Sequence, residues 1–277
     1  MSEPGQDGPQ TPDPLALAEL ARDVAREAAD LLLARHGQAA VVEVKSSPTD
    51  VVTQLDRAAE QLIRDRLEAA RPGDAILGEE GGETGEGSLR WIVDPLDGTV
   101  NYLYGLPDWA VSIAAEVEGE AVAGAVCVPL QRAMYWATLG GGAFLESGWQ
   151  PGGSQRLACN AGVPLASALV ATGFGYAAPK RLAQGKVVAA LLPRVRDIRR
   201  IGSAANDLCS VAAGRVDAYY EQGVHEWDIA AGGLIAREAG AAMGGLNGAP
   251  AGEAMTIAAH PALFGLLHDL LAAMPAR

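Results

Sequence analysis

The stretch Trp91-Ile92-Val93-Asp94-Pro95-Leu96-Asp97-Gly98-Thr99 places two carboxylates three residues apart in a segment that starts as an apolar, β-branched run. The run reads as a short buried strand. The Asp-Pro-x-Asp-Gly-Thr that follows breaks it, because Pro95 removes a backbone donor and Gly98 admits left-handed backbone. Acids at the carboxyl end of a strand stand where layered α/β folds bind ligands. Taken alone, Asp-Pro and Asp-Gly are ordinary turn signals. Other acids change that reading by their company. Glu79 follows the strand candidate Ala75-Ile76-Leu77 inside the Gly-flanked loop Gly78-Glu79-Glu80-Gly81-Gly82. Asp228 opens a helix whose Ala230-Ala231-Gly232-Gly233 run allows tight packing, although an acid in a first turn also simply favours the helix dipole. Asp56 lies three residues after Thr53, the spacing of a capping box. Glu79, Asp94, Asp97 and Asp228 together are a donor set for a hard, oxygen-preferring cation, Mg²⁺ above all. Two such ions about 4 Å apart would clamp the attacking and leaving oxygens of a phosphoryl transfer.

These residues also carry a resemblance. Trp91 to Thr99 resembles the first signature of the inositol monophosphatase family, and Glu226-Trp227-Asp228-Ile229-Ala230-Ala231-Gly232-Gly233 resembles the second. Gly78-Glu79-Glu80 and Lys45-Ser46-Ser47-Pro48-Thr49-Asp50-Val51-Val52-Thr53-Gln54-Leu55-Asp56 match in the family's order, and the likeness runs from about Leu15 to the last helix. It implies the layered α/β sugar-phosphatase fold (αβαβα) shared with fructose 1,6-bisphosphatases. It implies a Mg²⁺-dependent, lithium-sensitive phosphomonoesterase that cleaves inositol monophosphate. Glu79, Asp94 and the carbonyl of Leu96 would hold a first ion, Asp94, Asp97 and Asp228 a second, and Glu79 would help with a weaker third. Thr99 and Asp56 would orient and deprotonate the attacking water. The N–H groups of Gly98 and Thr99 would meet phosphate, with Asp97 beside them, and Lys45 would approach that region from a mobile loop. Glu221 and the Gly202-Ser203-Ala204 segment would meet the polyol. A homodimer is implied too. Histidinol phosphate, fructose 1,6-bisphosphate and 3′-phosphoadenosine nucleotides are the alternative substrates, and a role beside the transcription machinery or in ribosomal RNA maturation is the alternative of another class.

Several elements must deliver these residues. Asp13-Pro14 opens a helix that closes at Gly37, and Thr53 opens a second that ends at Arg71-Pro72-Gly73. Strands are expected at 41–44 and 75–77, and antiparallel strands at 110–117, 121–128 and 133–138. In the second half, strands at 169–172, 198–201, 216–220, 241–243 and 255–258 alternate with helices at 179–192, 203–213, 227–239 and 261–273. Residues 1–13 read as a disordered tail and 14–275 as one catalytic domain, in halves of about 14–150 and 151–275.

Composition narrows the classes of function. Hydrophobic residues make up 49%, as in a globular protein. No apolar run approaches the roughly 20 residues of a membrane span, and the N-terminus lacks a signal-peptide pattern, so the reading is cytoplasmic. A net charge of −13, from 21 Lys and Arg against 34 Asp and Glu, argues against direct nucleic-acid binding. It would also repel a phosphate ester unless cations sat among the acids. Cys127, Cys159 and Cys209 have no paired spacing and read as small apolar residues. His225 reads as a packing residue, Glu226 as no ligand, and the Arg194–Arg200 run as structural or part of a dimer interface.

Overall fold

Asp13 caps the first helix as the sequence leads one to expect, its carboxyl accepting the N–H of Leu15 at 3.0 Å while Pro14 supplies a pre-set first turn. The computed structural model describes residues 13–36, 41–44, 51–148 and 153–274. The expected closing Gly37, most of the tail, and Lys45 with its loop lie outside these residues. The chain runs α1 (Pro14–Leu33), β1 (Val41–Val44), β2 (Val51–Thr53), α2 (Gln54–Ala70), β3 (Ala75–Gly78), β4 (Gly82–Thr84) and β5 (Leu89–Asp97). It continues with α3 (Thr99–Leu103), β6 (Ala110–Val117), β7 (Glu120–Val128), β8 (Ala133–Thr138), β9 (Gly142–Ser147) and β10 (Ser154–Arg156). Then come β11 (Leu169–Thr172), α4 (Ala178–Leu191), β12 (Asp197–Arg199), α5 (Ala204–Ala212), β13 (Ala218–Glu221), α6 (Glu226–Glu238), β14 (Ala242–Gly244), β15 (Thr256–Ala259) and α7 (Pro261–Ala272).

Two sheets result. The larger is eight-stranded, ordered β10-β9-β8-β7-β6-β5-β3-β4, and the smaller five-stranded, ordered β12-β11-β13-β15-β14. Apolar residues of α1 and α2, such as Leu32 and Ile63, cover one face of the large sheet. Its other face meets α5 and α6 through Ala205, Cys209, Ala231 and Ile235. The opposite sides of those helices reach the small sheet at Ala171, Tyr219 and Ala258. Val187 of α4 and Leu263 and Leu267 of α7 close its outer face. The order is αβαβα. The middle helix layer can be thin because its residues are small: a Cβ on Gly124 of β7 would press on Ala231 of α6.

Several elements depart from the sequence reading. β5 does not stop at Asp94: after the Asp94↔Ser112 pair the register slips, and the ladder resumes at Asp97↔Ala110. Pro95 sits in that bulge, one of the few places where a strand tolerates it. β4 and β10 are three-residue, fully exposed strands at the two edges of the large sheet. Such short polar pieces have no alternation to read. α3 is a five-residue helix, too short for periodicity to show. β9 occupies Gly142–Ser147, between two Gly-rich loops.

Candidate active site

The parallel pairing of β3 with β5, in the register Gly78↔Val93, sets Glu79 beside Asp94 at the carboxyl ends of two neighbouring strands. The bulge in β5 then turns Asp97 toward the small sheet. There the Asp97 carboxylate accepts the Ser203 hydroxyl and the Ala205 N–H, both at 2.7 Å, and so docks on the start of α5. Asp228 arrives from the first turn of α6, its carboxylate accepting the His225 N–H at 2.6 Å in a capping box. One oxygen each from Asp94, Asp97 and Asp228 lies within 4.8 Å of the others. Asp94 is buried, and its Oδ1 accepts the Leu96 N–H at 3.0 Å.

Crowding shapes the electrostatics. Burial, followed by the charges of Glu79, Asp97 and Asp228, holds the Asp94 carboxyl far above its usual range. Burial also raises Asp228, reinforced by Asp97. Asp97 is pushed up to about 6 by burial, against the opposing bonds from Ser203 and Ala205. None of these three acids forms an ion pair with a described lysine or arginine. Carboxylates forced together with no ion pair to a described lysine or arginine, all oxygen donors and few in number, fit a divalent hard cation that keeps places for water and phosphate. Glu79 lines the same cleft and adds its charge to Asp94 and Asp228, although it stands outside the tight trio.

Asp56 approaches from α2. It is buried, and burial raises its pKa. It accepts the Thr53 N–H at 2.9 Å and the Thr53 hydroxyl. The Thr99 hydroxyl lies 3.0 Å from Asp56 Oδ1 and 3.2 Å from the Leu96 carbonyl. A hydroxyl has one proton to give, so donation to Asp56 leaves the Leu96 oxygen open. The capping box and the contact with Thr99 coexist, one on each carboxylate oxygen. Gly98, at φ +94°, precedes Thr99, and a Cβ there would meet the backbone oxygens of Asp108 and Gly202.

The cleft holds about 580 Å³ and runs from this acid end past Gly98, Thr99, Ser203 and Ala204 to Glu221 at the end of β13. Glu221 accepts the Tyr219 hydroxyl at 2.9 Å, and burial pushes its pKa up to about 7. The Ser203 side chain is spent on Asp97 and on capping α5, so this segment offers the cleft chiefly its backbone. His225 stacks on Trp227, and Glu226 pairs with Arg90 at 2.6 Å, away from the acid trio.

Sequence reasoning missed a support beneath Glu79. Glu60, one helical turn beyond Asp56, accepts the N–H groups of Glu80 at 2.7 Å and Gly81 at 2.8 Å. Arg64 donates to it at 2.8 Å and also bonds the Gly82 carbonyl and the Thr84 hydroxyl. The available signal was the Asp56, Glu60, Arg64 spacing of four, which places all three on one helix face. A Cβ at Gly78 or Gly81 would collide with the Glu60 carboxylate, which accounts for glycine there.

The chain matches the inositol monophosphatase family over residues 13–273. It belongs to that family. This family member is a phosphoric monoester hydrolase of the inositol-1-monophosphatase type. It is 45% identical to the inositol-1-monophosphatase of Mycobacterium leprae, covering 95% of this chain and 94% of that one. The solved structure of Mycobacterium tuberculosis SuhB superposes with a TM-score of 0.79 at 44% identity, covering 94% of this chain and 97% of that one. A protein named Nus factor SuhB, from Xylella fastidiosa, is 40% identical over 82% of this chain and 81% of its own length. Among the described residues no helix is long and apolar enough to cross a membrane.

Proposed function

We propose that this inositol monophosphatase family member hydrolyses a polyol monophosphate, inositol 1-phosphate above all, with Mg²⁺. The observation that carries the reading is the meeting of Asp94, Asp97 and Asp228 within 4.8 Å, next to the Asp56–Thr99 pair. Mg²⁺ bound there would screen the phosphate charge and supply a water of lowered pKa for attack on phosphorus. Asp94, Asp97 and Asp228, with Glu79 and the Leu96 carbonyl, would hold two or three such ions. Thr99 would take a hydrogen bond from the attacking water while donating to Asp56. Asp56 would receive the proton, a transfer that its raised pKa favours. The N–H groups of Gly98 and Thr99 would take phosphate oxygens. Glu221 would accept hydrogen bonds from polyol hydroxyls, and Lys45 would approach the phosphate from its loop. Attack is direct, without a covalent phosphoenzyme. Residues 14–275 would form one catalytic domain, cytoplasmic, homodimeric and inhibited by Li⁺.

A substrate panel tests this. Phosphate release is measured with inositol 1-phosphate, histidinol phosphate, fructose 1,6-bisphosphate and 3′-phosphoadenosine 5′-phosphate, each with Mg²⁺ and with chelator. Mg²⁺-dependent release led by a polyol phosphate supports the reading, and release indifferent to chelator overturns it. The likeness to the Xylella fastidiosa protein favours a second role, as a partner of transcription proteins. Retention of RNA polymerase from the host lysate by both wild type and a turnover-dead variant would support that role, and its absence from both would remove it.

A further inference from the structure

Two walls of the cleft come from different halves of the chain. One carries Asp97, Gly98 and Thr99 at the end of β5, and the other carries Gly202, Ser203 and Ala204 between β12 and α5. Asn101 of α3 is 4% exposed and stands outside the residues that line the cleft. Its side-chain nitrogen donates to the Asp108 carbonyl at 2.6 Å and to the Ile201 carbonyl at 2.9 Å. An amide nitrogen carries two protons, so both bonds form at once. The second bond spans 100 residues of chain and joins α3 to the segment that opens the second wall.

The surrounding backbone is shaped to this crossing. A Cβ at Gly202 would come 3.0 Å from the Asn101 nitrogen. One at Gly98 would come 3.0 Å from the Asp108 oxygen and 3.2 Å from the Gly202 oxygen. Glycine at both places, each at positive φ, lets the walls close around the amide. α3 is itself anchored: the Asn101 carbonyl accepts the Leu106 N–H at 2.8 Å, and the Tyr102 hydroxyl donates to the Leu32 carbonyl at 2.7 Å. Asp97 crosses the same gap to Ser203 and Ala205, but its carboxylate also belongs to the acid trio. The Asn101 crossing is neutral and engages no member of that trio.

Resting on the phosphatase reading above, we propose that Asn101 is a positioning residue that fixes the spacing of the two cleft walls. Through that spacing it aligns an ester whose phosphate lies on one wall and whose polyol meets the other. It touches no reacting atom. An ester that makes its contacts on the first wall alone gains little from the spacing.

The test compares inositol 1-phosphate, which meets both walls, with p-nitrophenyl phosphate, which has no polyol, at saturating Mg²⁺. Asn101→Ala should raise KM for inositol 1-phosphate by about tenfold and for p-nitrophenyl phosphate by less than about twofold. Asn101→Ser keeps one donor and should fall between wild type and Asn101→Ala. Asn101→Asp turns a carboxylate toward both carbonyls and should show the largest change. Amide hydrogen exchange at 200–206 should be faster in Asn101→Ala than in wild type. Thermal melts identify any variant that fails to fold, and Asn101→Ser then carries the comparison. Equal changes on both substrates, the signature of a general loss of stability, overturn the proposal. So does an unchanged KM for inositol 1-phosphate in a folded variant. Wild type that hydrolyses neither ester overturns the phosphatase reading instead. Exchange at 200–206 then still decides whether Asn101 holds the walls, and an unchanged rate overturns that too.

Discussion

The two ends of the cleft are built on different plans. At the acid end, Asp94 and Asp228 are held by nearby backbone, the N–H of Leu96 and of His225, while Asp97 is held from across the chain by the N–H of Ala205 and the hydroxyl of Ser203. Each sits at a strand end or in a first helical turn, where backbone N–H groups are available to a carboxylate. At the other end, Glu221 depends on one tyrosine hydroxyl, and Lys180 on space left by Gly175 and Gly223, in the loops after β11 and β13. On the proposed reading the acid end would hold the cations that any phosphate ester needs. The polyol end is a looser surface on which one side chain can change what is recognised. On the proposed reading, reaction type and substrate choice are set in separate parts of this chain.

Substitutions at the acid end should act on every substrate. Asp56→Asn removes the proton acceptor and should lower kcat by roughly 10²–10⁴-fold with Mg²⁺ affinity retained. Steady-state kinetics beside calorimetric Mg²⁺ titration would check this, and an equal loss of Mg²⁺ binding would move Asp56 among the metal holders. Glu60→Gln weakens the grip on the Glu80 and Gly81 amides and so loosens Glu79. It should raise the Mg²⁺ concentration for half-activity by about 10–100-fold, as for lost outer supports of a metal ligand. Excess Mg²⁺ should restore kcat, and failure of that rescue would make Glu60 a support of the fold alone.

At the polyol end, effects should depend on the substrate. Glu221→Gln should raise KM for inositol 1-phosphate by about tenfold while leaving p-nitrophenyl phosphate little affected. Equal effects on both would break the distinction between the two ends. The smallest effect is one of stability with pH. Asp94, Asp97, Asp228 and Glu221 have folded-state pKa values raised above ordinary carboxylates, Asp97 to about 6 and Glu221 to about 7. Their contribution to stability is fully present below the ordinary carboxylate range and is lost as pH rises through those values. The Tm of chelated protein should therefore fall by a few degrees between pH 5 and 8. Saturating Mg²⁺ should cancel the acid-end part and leave the part due to Glu221. A chelated protein whose Tm is flat over that range would contradict this electrostatic picture.

The same contrast marks how much the sequence discloses. Asp94 and Asp97 announce themselves because a β-branched run meets an Asp-Pro break within a few residues. Asp228 and Asp56 do so through first-turn spacing, and in both cases the bland capping function turns out to be true as well. Lys180 carries no such mark. It meets Gly223 only because β11 and β13 pair in parallel, and that pairing is a tertiary fact. Glu60 and Arg64 read as a common helix pair of spacing four, whereas their hold on the loop at 80–84 spans 20 residues of chain, which no local pattern encodes. Among the elements, the amphipathic helices and long strands follow from periodicity. The bulge at Pro95 and the short polar edges β4 and β10 do not, since pairing with a neighbour rather than their own pattern makes them strands.

The proposed chemistry needs Asp94, Asp97 and Asp228 to act together as one cation receptor. Calorimetric titration of Mg²⁺ into metal-free wild type and Asp94→Asn, with circular dichroism to verify the fold, tests it most directly. Wild type should bind two or three ions, and Asp94→Asn should lose the tighter binding with the fold intact. Unchanged stoichiometry and affinity in that variant would contradict it.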